Sequence, residues 1–250
     1  MTATAVRPTG LIPAPRAAAD DTAARTPAPD PAAGRAVAYQ RVLHQLVRRE
    51  LRLLADLASW APADEAERTA DLTRHADLIS RVLLHHHQVE REAVWPALLA
   101  AAPVEARAAV DGWTASCARI DHMLRDVATA SRQWQVAGTV SARTAFAAAC
   151  RSLADEVDAQ TADEERTLLP LLAAHLSTGD WAAIAARSHC RLSAPEQLFV
   201  LGLALEDSCA ADRARLMDGL PWSVRRAWRL YGARRYRAAV VRLRGAPPAA

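Results

Sequence analysis

At 250 residues the chain allows one large domain, or one medium domain with an extension, and is long enough to bury a sizeable core. A formal net charge of +3 is too small to imply a nucleic-acid partner by itself. All 31 cationic residues are Arg, which beside the abundant Ala reads as a chain-wide compositional bias and not as a binding patch. The four cysteines, Cys117, Cys150, Cys190 and Cys209, form no C-x-x-C pair. The first residues lack the apolar run of a secretion signal, and no stretch reaches the roughly 18 apolar residues of a membrane span. The expectation is a soluble, cytoplasmic protein with reduced thiols.

Residues 1–32 are Ala, Pro, Thr and Asp without periodicity, a composition expected to stay disordered. Four long helical patterns follow. The first runs from about Arg35 to Trp60. The second begins after Pro62 and reaches about Ala101, and the third begins near Pro103 and ends before Gly138. The fourth starts at Ser141, read as its N-cap, and runs to about Leu176. With two Phe, three Tyr and no sustained period-2 alternation, sheet is not expected. Four long helices on short connections predict an all-α, up-down-up-down four-helix bundle over 33–176. Residues 177–250 read as a helical, Arg-rich extension. Within it Ser193-Ala-Pro-Glu196 has the form of a capping box, and the segment after Pro221 holds eight Arg and no acid.

The chemistry concentrates in LLHHHQVEREAVWPALL on the second helix. At about 100° per residue, Leu72, Ile79, Leu83, His86, Glu90 and Val94 fall on one stripe. A carboxylate on an apolar face is costly unless a cation or strong donors accompany it. An interior His-x-x-x-Glu is therefore half of a metal site or part of a paired polar core. The fourth helix repeats the pattern in DAQTADEERTLLPLL, with Glu164 six residues before Pro170 as Glu90 is six before Pro96. Gln160 takes the place corresponding to His86. The first helix adds His44, on a stripe with Val47, Leu51 and Leu54. Two imidazoles and two carboxylates converging in a bundle core are the ligand type of iron or manganese.

His44 in LHQLVRREL, His86 and Glu90 ahead of Trp95-Pro96, and Glu164 in DEERTLLP resemble the hemerythrin family of HHE cation-binding domains, over about residues 38–176. The resemblance implies a non-haem metal site, iron by preference, with His44, His86, Glu90 and Glu164 as ligands. It implies a protein that binds, stores or senses dioxygen, nitric oxide or iron. By the same resemblance His44 and His86 serve one iron, a further His pair serves a second, and the two glutamates bridge. The sequence departs from the family in that second half, where Cys117 stands on the third helix and Gln160 on the fourth. His122 is no substitute, since five residues turn it about 140° away from Cys117. One iron per chain is therefore expected, not two.

No separate nucleophile or acid–base apparatus is visible, so an enzyme is not the reading. The expected partners are a metal ion and a small diatomic ligand, with no specific nucleic acid and no transmembrane segment. The competing reading is a metal-free scaffold derived from the same family and acting as an interaction or regulatory protein. A third class, a peroxide- or nitric-oxide-consuming enzyme, needs a redox iron and fails if no metal binds. His75 reads as a satisfied core histidine, and His85 and His87 as solvated or supporting residues beside the inward stripe. The Arg-rich tail reads as docked on the bundle with a solvated outer face.

Overall fold

The computed structural model describes residues 31–104, 106–188 and 191–248. The stretch 1–30, which carries most of the expected disorder, and Cys190 lie outside the described residues. Regular structure is helical throughout the described residues. The first pattern forms α1 (Pro31–Trp60) and the second forms α2 (Ala66–Val89). A π-helical turn, Glu90–Val94, joins α2 to α3 (Trp95–Ala101), so the second pattern is one interrupted rod. The third and fourth patterns are α4 (Ala106–Ala137) and α5 (Val140–His175). No helix of the described residues is long and apolar enough to cross a membrane.

One boundary differs from expectation. The N-cap of α5 is Thr139, not Ser141: the Thr139 hydroxyl accepts from the Ala142 N–H at 3.3 Å, and Ser141 lies inside the first turn. Gly138, at φ 57°, makes the reversal that sets Thr139 in extended backbone, a conformation that glycine adopts at no steric cost. The capping box at Ser193 is present, with Glu196 N–H donating to Ser193 and Glu196 accepting from the Ser193 N–H. A second box, Ser177 with Asp180, opens α6 (Thr178–Arg187). Such caps are worth about 0.5–2 kcal/mol each.

Packing contacts close a ring: α1 on α2, α2 on α4, α4 on α5, and α5 back on α1. The buried apolar residues form two clusters. One holds Leu46, Leu54, Leu72, Ile79, Leu124, Trp134, Phe146 and Leu153; the other holds Trp95, Leu98, Val110, Trp113, Leu168 and Leu172. Every long segment runs from one cluster into the other. On α2 the crossing falls between Leu83 and Val94, and on α5 between Val157 and Leu168. The residues in those gaps are buried and polar: His86 and Glu90 on one segment, Gln160 and Glu164 on the other. The core is thus two apolar blocks with a polar layer between them.

The extension continues as α7 (Ala194–Glu206), α8 (Ala210–Asp218), α9 (Trp222–Ala227), a second π-helical turn (Trp228–Gly232) and α10 (Ala233–Arg244). It wraps α1, which also meets α6, α7 and α8. The docking is built on arginine, in line with expectation. Arg244 bonds Glu206 at 2.7 Å and the buried Glu50 at 2.6 Å, and Arg242 reaches Asp71 at 3.2 Å. Tyr236 donates to Glu206 at 2.5 Å, and its ring lies so close to Gly202 that a Cβ there would sit 2.3 Å from it. The outer face, with Arg229, Arg234, Arg235 and Arg237, is exposed.

Candidate metal centre

Each expected ligand reaches the polar layer because its helix buries that position. His44 projects from a helix covered on several sides, and is fully buried. His86 is one turn from the end of α2, and Glu90 opens the π-helical turn. Pro96 has no N–H to continue the ladder, and the Trp95 N–H bonds the Glu90 carbonyl five residues back. Glu164 lies inside α5, which carries Pro170 without a π-helical turn. Repetition of the E-x5-P spacing therefore repeats the direction of the acid but not the backbone around it.

The structure brings together all four residues singled out in the sequence. His44, His86, Glu90 and Glu164 each offer one ligand atom, and those atoms lie within 4.8 Å of one another. The imidazole planes of His44 and His86 meet edge to face with ring centroids 5.6 Å apart. His44 Nε2 is 3.2 Å from Glu164 Oε2, and His86 Nε2 is 3.3 Å from Glu90 Oε1.

The test of fit for a cation is whether these donors are already spent. Among the described residues His86 Nε2 and Glu90 Oε2 are buried without a hydrogen bond, and His44 Nε2 and Glu164 Oε2 are buried with only each other at 3.2 Å. Buried polar atoms are normally paired, and a cluster of such atoms that are all Lewis bases calls for a cation. The other atoms of the same side chains are anchored. His44 Nδ1 lies 3.3 Å from Glu165 Oε1, and Arg48 donates to the same oxygen at 2.6 Å. That contact holds the ring with Nε2 turned inward, the usual service of an outer carboxylate to a ligating histidine. Gln40 Nε2 donates to Glu90 Oε1 at 3.0 Å, and Gln160 Nε2 donates to Glu164 Oε1 at 2.6 Å.

The electrostatics agree. Burial pushes the His86 imidazole well below its ordinary pKa, helped by the neighbouring His44, His87 and His85, so the ring is held in its neutral, ligating form. Burial, then repulsion from Glu164, pushes the Glu90 carboxyl well above its ordinary value. Burial also works to lower His44, but its hydrogen bonds and charge contacts with Glu164 and Glu165 outweigh it and leave the pKa raised. Without a cation the layer thus favours protons on His44 and Glu90; a divalent cation would take their place, and the donor set fits one.

The two departure positions sit beside the cluster. Gln160 Nε2 lies 3.2 Å from Cys117 Sγ while donating to Glu164. Burial, then the charges of Glu90 and Glu164, drive the Cys117 thiol up, so it keeps its proton. His122 is exposed, on the far side of α4. His75 is a satisfied core histidine, 2.7 Å from Glu50. His87 is buried and not solvated, with Nδ1 2.7 Å from Asp121, while His85 is half-buried.

Sequence reasoning missed Gln40, Glu165 and Arg48. Gln40 carried a usable signal, since it precedes His44 by one turn, as Gln160 precedes Glu164. Glu165 and Arg48 carried none, because adjacent or charged positions on a helix read as solvent-facing.

The family model described as Hemerythrin HHE cation binding domain matches residues 35–172. No curated protein and no solved structure gives a match. The matched span takes in the whole cluster and more than half of the sequence, and the chain belongs to the hemerythrin HHE cation-binding domain family.

Proposed function

We propose that this chain is a non-haem metal-binding protein that holds one iron per chain through His44, His86, Glu90 and Glu164, and that binds or senses dioxygen, nitric oxide or iron itself. The observation that carries the reading is the convergence of four buried ligand side chains, with donor atoms within 4.8 Å of one another. Iron held there by His44, His86, Glu90 and Glu164 would supply redox chemistry and affinity for a small ligand. The residues of the chain do the rest. The two apolar clusters exclude water, Glu165 with Arg48 orients the His44 ring, and burial keeps His86 neutral.

We assign the cation-binding bundle to 33–176, with its four long segments alternating in direction, and the docked extension to 177–250. Support for the alternation is that α1 and α4 pass from the Trp95–Leu172 cluster toward the Leu54–Trp134 cluster, while α2 and α5 pass the other way. The Arg-rich tail is assigned to docking and not to reading a nucleic-acid sequence, because Arg242 and Arg244 are engaged with acids of the bundle and of α7. A cytoplasmic location with reduced thiols is part of the same reading.

The decisive measurement is elemental analysis of anaerobically purified protein, with absorption spectra before and after air exposure. One iron per chain and an air-dependent spectrum are expected. Replacing Cys117 and Gln160 together by His rebuilds the missing imidazole pair and is expected to raise the content toward two. Two tightly held irons in the parent contradict the single-site reading. No metal in any variant leaves the chain as a metal-free scaffold.

A further inference from the structure

Besides the four ligand residues, two glutamines belong to the polar layer. Gln40 and Gln160 are 1% and 6% exposed, buried as deeply as the core around them. Each spends its amide N–H on one oxygen of one cluster acid: Gln40 on Glu90 Oε1 at 3.0 Å, Gln160 on Glu164 Oε1 at 2.6 Å. In both acids Oε2 is left to the cluster: that of Glu90 has no hydrogen bond, and that of Glu164 has only His44 Nε2 at 3.2 Å. The two glutamines reach their acids by different routes. Gln160 precedes Glu164 by one turn on α5, whereas Gln40 comes across from α1. Covalent neighbourhood therefore explains one pairing but not both.

We propose that Gln40 and Gln160 are positioning residues that hold Glu90 and Glu164 ready for one divalent cation, and that Gln160 denies a second cation the other oxygen of Glu164. The proposal rests on the cation-site reading given above. Two buried carboxylates facing one another repel, and unanchored they turn apart or share a proton. An N–H on one oxygen stops that rotation. Hydrogen bonds to charged groups are shorter and roughly twice as strong as neutral ones, which suits them to this task. On Glu164 the same N–H sets its positive end at the oxygen that a bridging acid would give to a second metal. On the α5 side that position meets the Gln160 amide and the Cys117 thiol 3.2 Å from it, and no imidazole. An amide donor carries no charge of its own, so it restrains the acids without cancelling the attraction they exert on a cation.

The test is titration of the metal-free protein with cobalt(II), read by its visible ligand-field bands, with zinc(II) competition to fix Kd. The parent is expected to take up one equivalent. Gln40→Leu and Gln160→Leu keep the volume and remove the donor. Each is expected to keep its helical circular dichroism, weaken Kd by about ten- to a hundredfold and shift the cobalt bands. Gln160→Glu exchanges the donor for an anionic oxygen and is expected to raise capacity toward two equivalents. Leu variants with the parent Kd and the parent bands overturn the positioning role. A Gln160→Glu variant that stays at one equivalent overturns the exclusion of the second cation. Should Gln160→Leu fail to fold, Gln40→Leu decides the positioning role alone, since its amide lies on a different helix from its acid. A parent that binds neither metal sinks the cation-site reading and this proposal with it, whereas normal parental binding with unchanged variants sinks this proposal only.

Discussion

The chain buries histidine with glutamate twice, and the two places behave as opposites. In the cation cluster the ligand atoms of His44, His86, Glu90 and Glu164 lie together, and among the described residues no arginine reaches them. Where the extension docks, both oxygens of each acid are engaged. Glu50 takes His75 at 2.7 Å on one oxygen, and Arg49 at 2.7 Å and Arg244 at 2.6 Å on the other. Glu206 takes Arg244 at 2.7 Å and Tyr236 at 2.5 Å. Both sites use the same residue types at the same depth, so residue type does not distinguish a metal centre from a structural network. Arginine does: it brings its own charge and donors to one site and is absent from the inner face of the other. A site that lacks that compensation is stable only with a cation, or with its own charge suppressed.

The largest expected effect comes from removing the compensation. Arg244→Ala leaves Glu50 and Glu206 buried with the arginine that joins them gone. Breaking a buried pair from one side costs about 3–5 kcal/mol, and the change should also free α10 from the bundle. Urea unfolding measures the loss. Cobalt titration of the folded variant should match the parent, because the cation cluster holds no arginine. A loss below about 1 kcal/mol would mean that the network is no tighter than a surface ion pair.

Acid attacks the two sites differently. His75, Arg49 and Arg244 outweigh the cost of burial and hold the Glu50 carboxyl down at about 2, against an ordinary 4.5. A depressed acid stabilises the fold above its unfolded value and loses that contribution as pH falls toward the folded one. Here the window runs from about 4.5 down to about 2, and the contribution is about 3 kcal/mol. Denaturation midpoints between pH 6 and pH 2 should show the decline, and Glu50→Gln should flatten it.

At the other site a cation takes the place of arginine. Metal present at a hundredfold its Kd should stabilise the parent by about 2.7 kcal/mol, and His86→Ala should respond to no metal at all. Thermal melts with and without cobalt(II) distinguish the two. A melting temperature in His86→Ala that still rises with metal would place the binding elsewhere.

The contrast also explains what the sequence made legible. His86, Glu90 and Glu164 stand out because a polar residue on an otherwise apolar 3.6-residue stripe is conspicuous, and α2 and α5 each bury one broad stripe. Glu50 was invisible for the opposite reason. On the stripe through His44, Val47 and Leu51 it falls to the side, where a lone helix would meet solvent. It is buried because α7 and α10 come over that side of α1, and nothing local to residue 50 announces their arrival. The four long patterns were readable from punctuation at Pro62, Pro103 and Gly138. The π-helical turns were not, since Glu90-x5-Pro96 has one and Glu164-x5-Pro170 does not.

The smallest effect is the most diagnostic, because its sign depends on whether metal is present. In the metal-free protein burial and Glu164 raise the Glu90 carboxyl well above its ordinary 4.5. For an acid raised on folding, both states are protonated below 4.5 and no penalty applies. As pH rises past that value the unfolded chain releases its proton while the folded one retains it, so stability falls with rising pH until the folded carboxyl also ionises. Glu90→Gln removes this penalty at nearly constant volume. Its amide oxygen can still accept from Gln40. Metal-free Glu90→Gln should therefore be more stable than the parent at pH 7, by about 1 kcal/mol or a few degrees in Tm, with the advantage vanishing below pH 4.5. Added metal should reverse the order, since the parent regains an anionic ligand and the variant has none to offer at that position. Paired melts at pH 4 and pH 7, each with and without cobalt(II), measure all four corners. A variant less stable than the parent in the metal-free form at pH 7 would show that Glu90 is compensated without a cation, and would remove the physical basis for calling this layer a metal site.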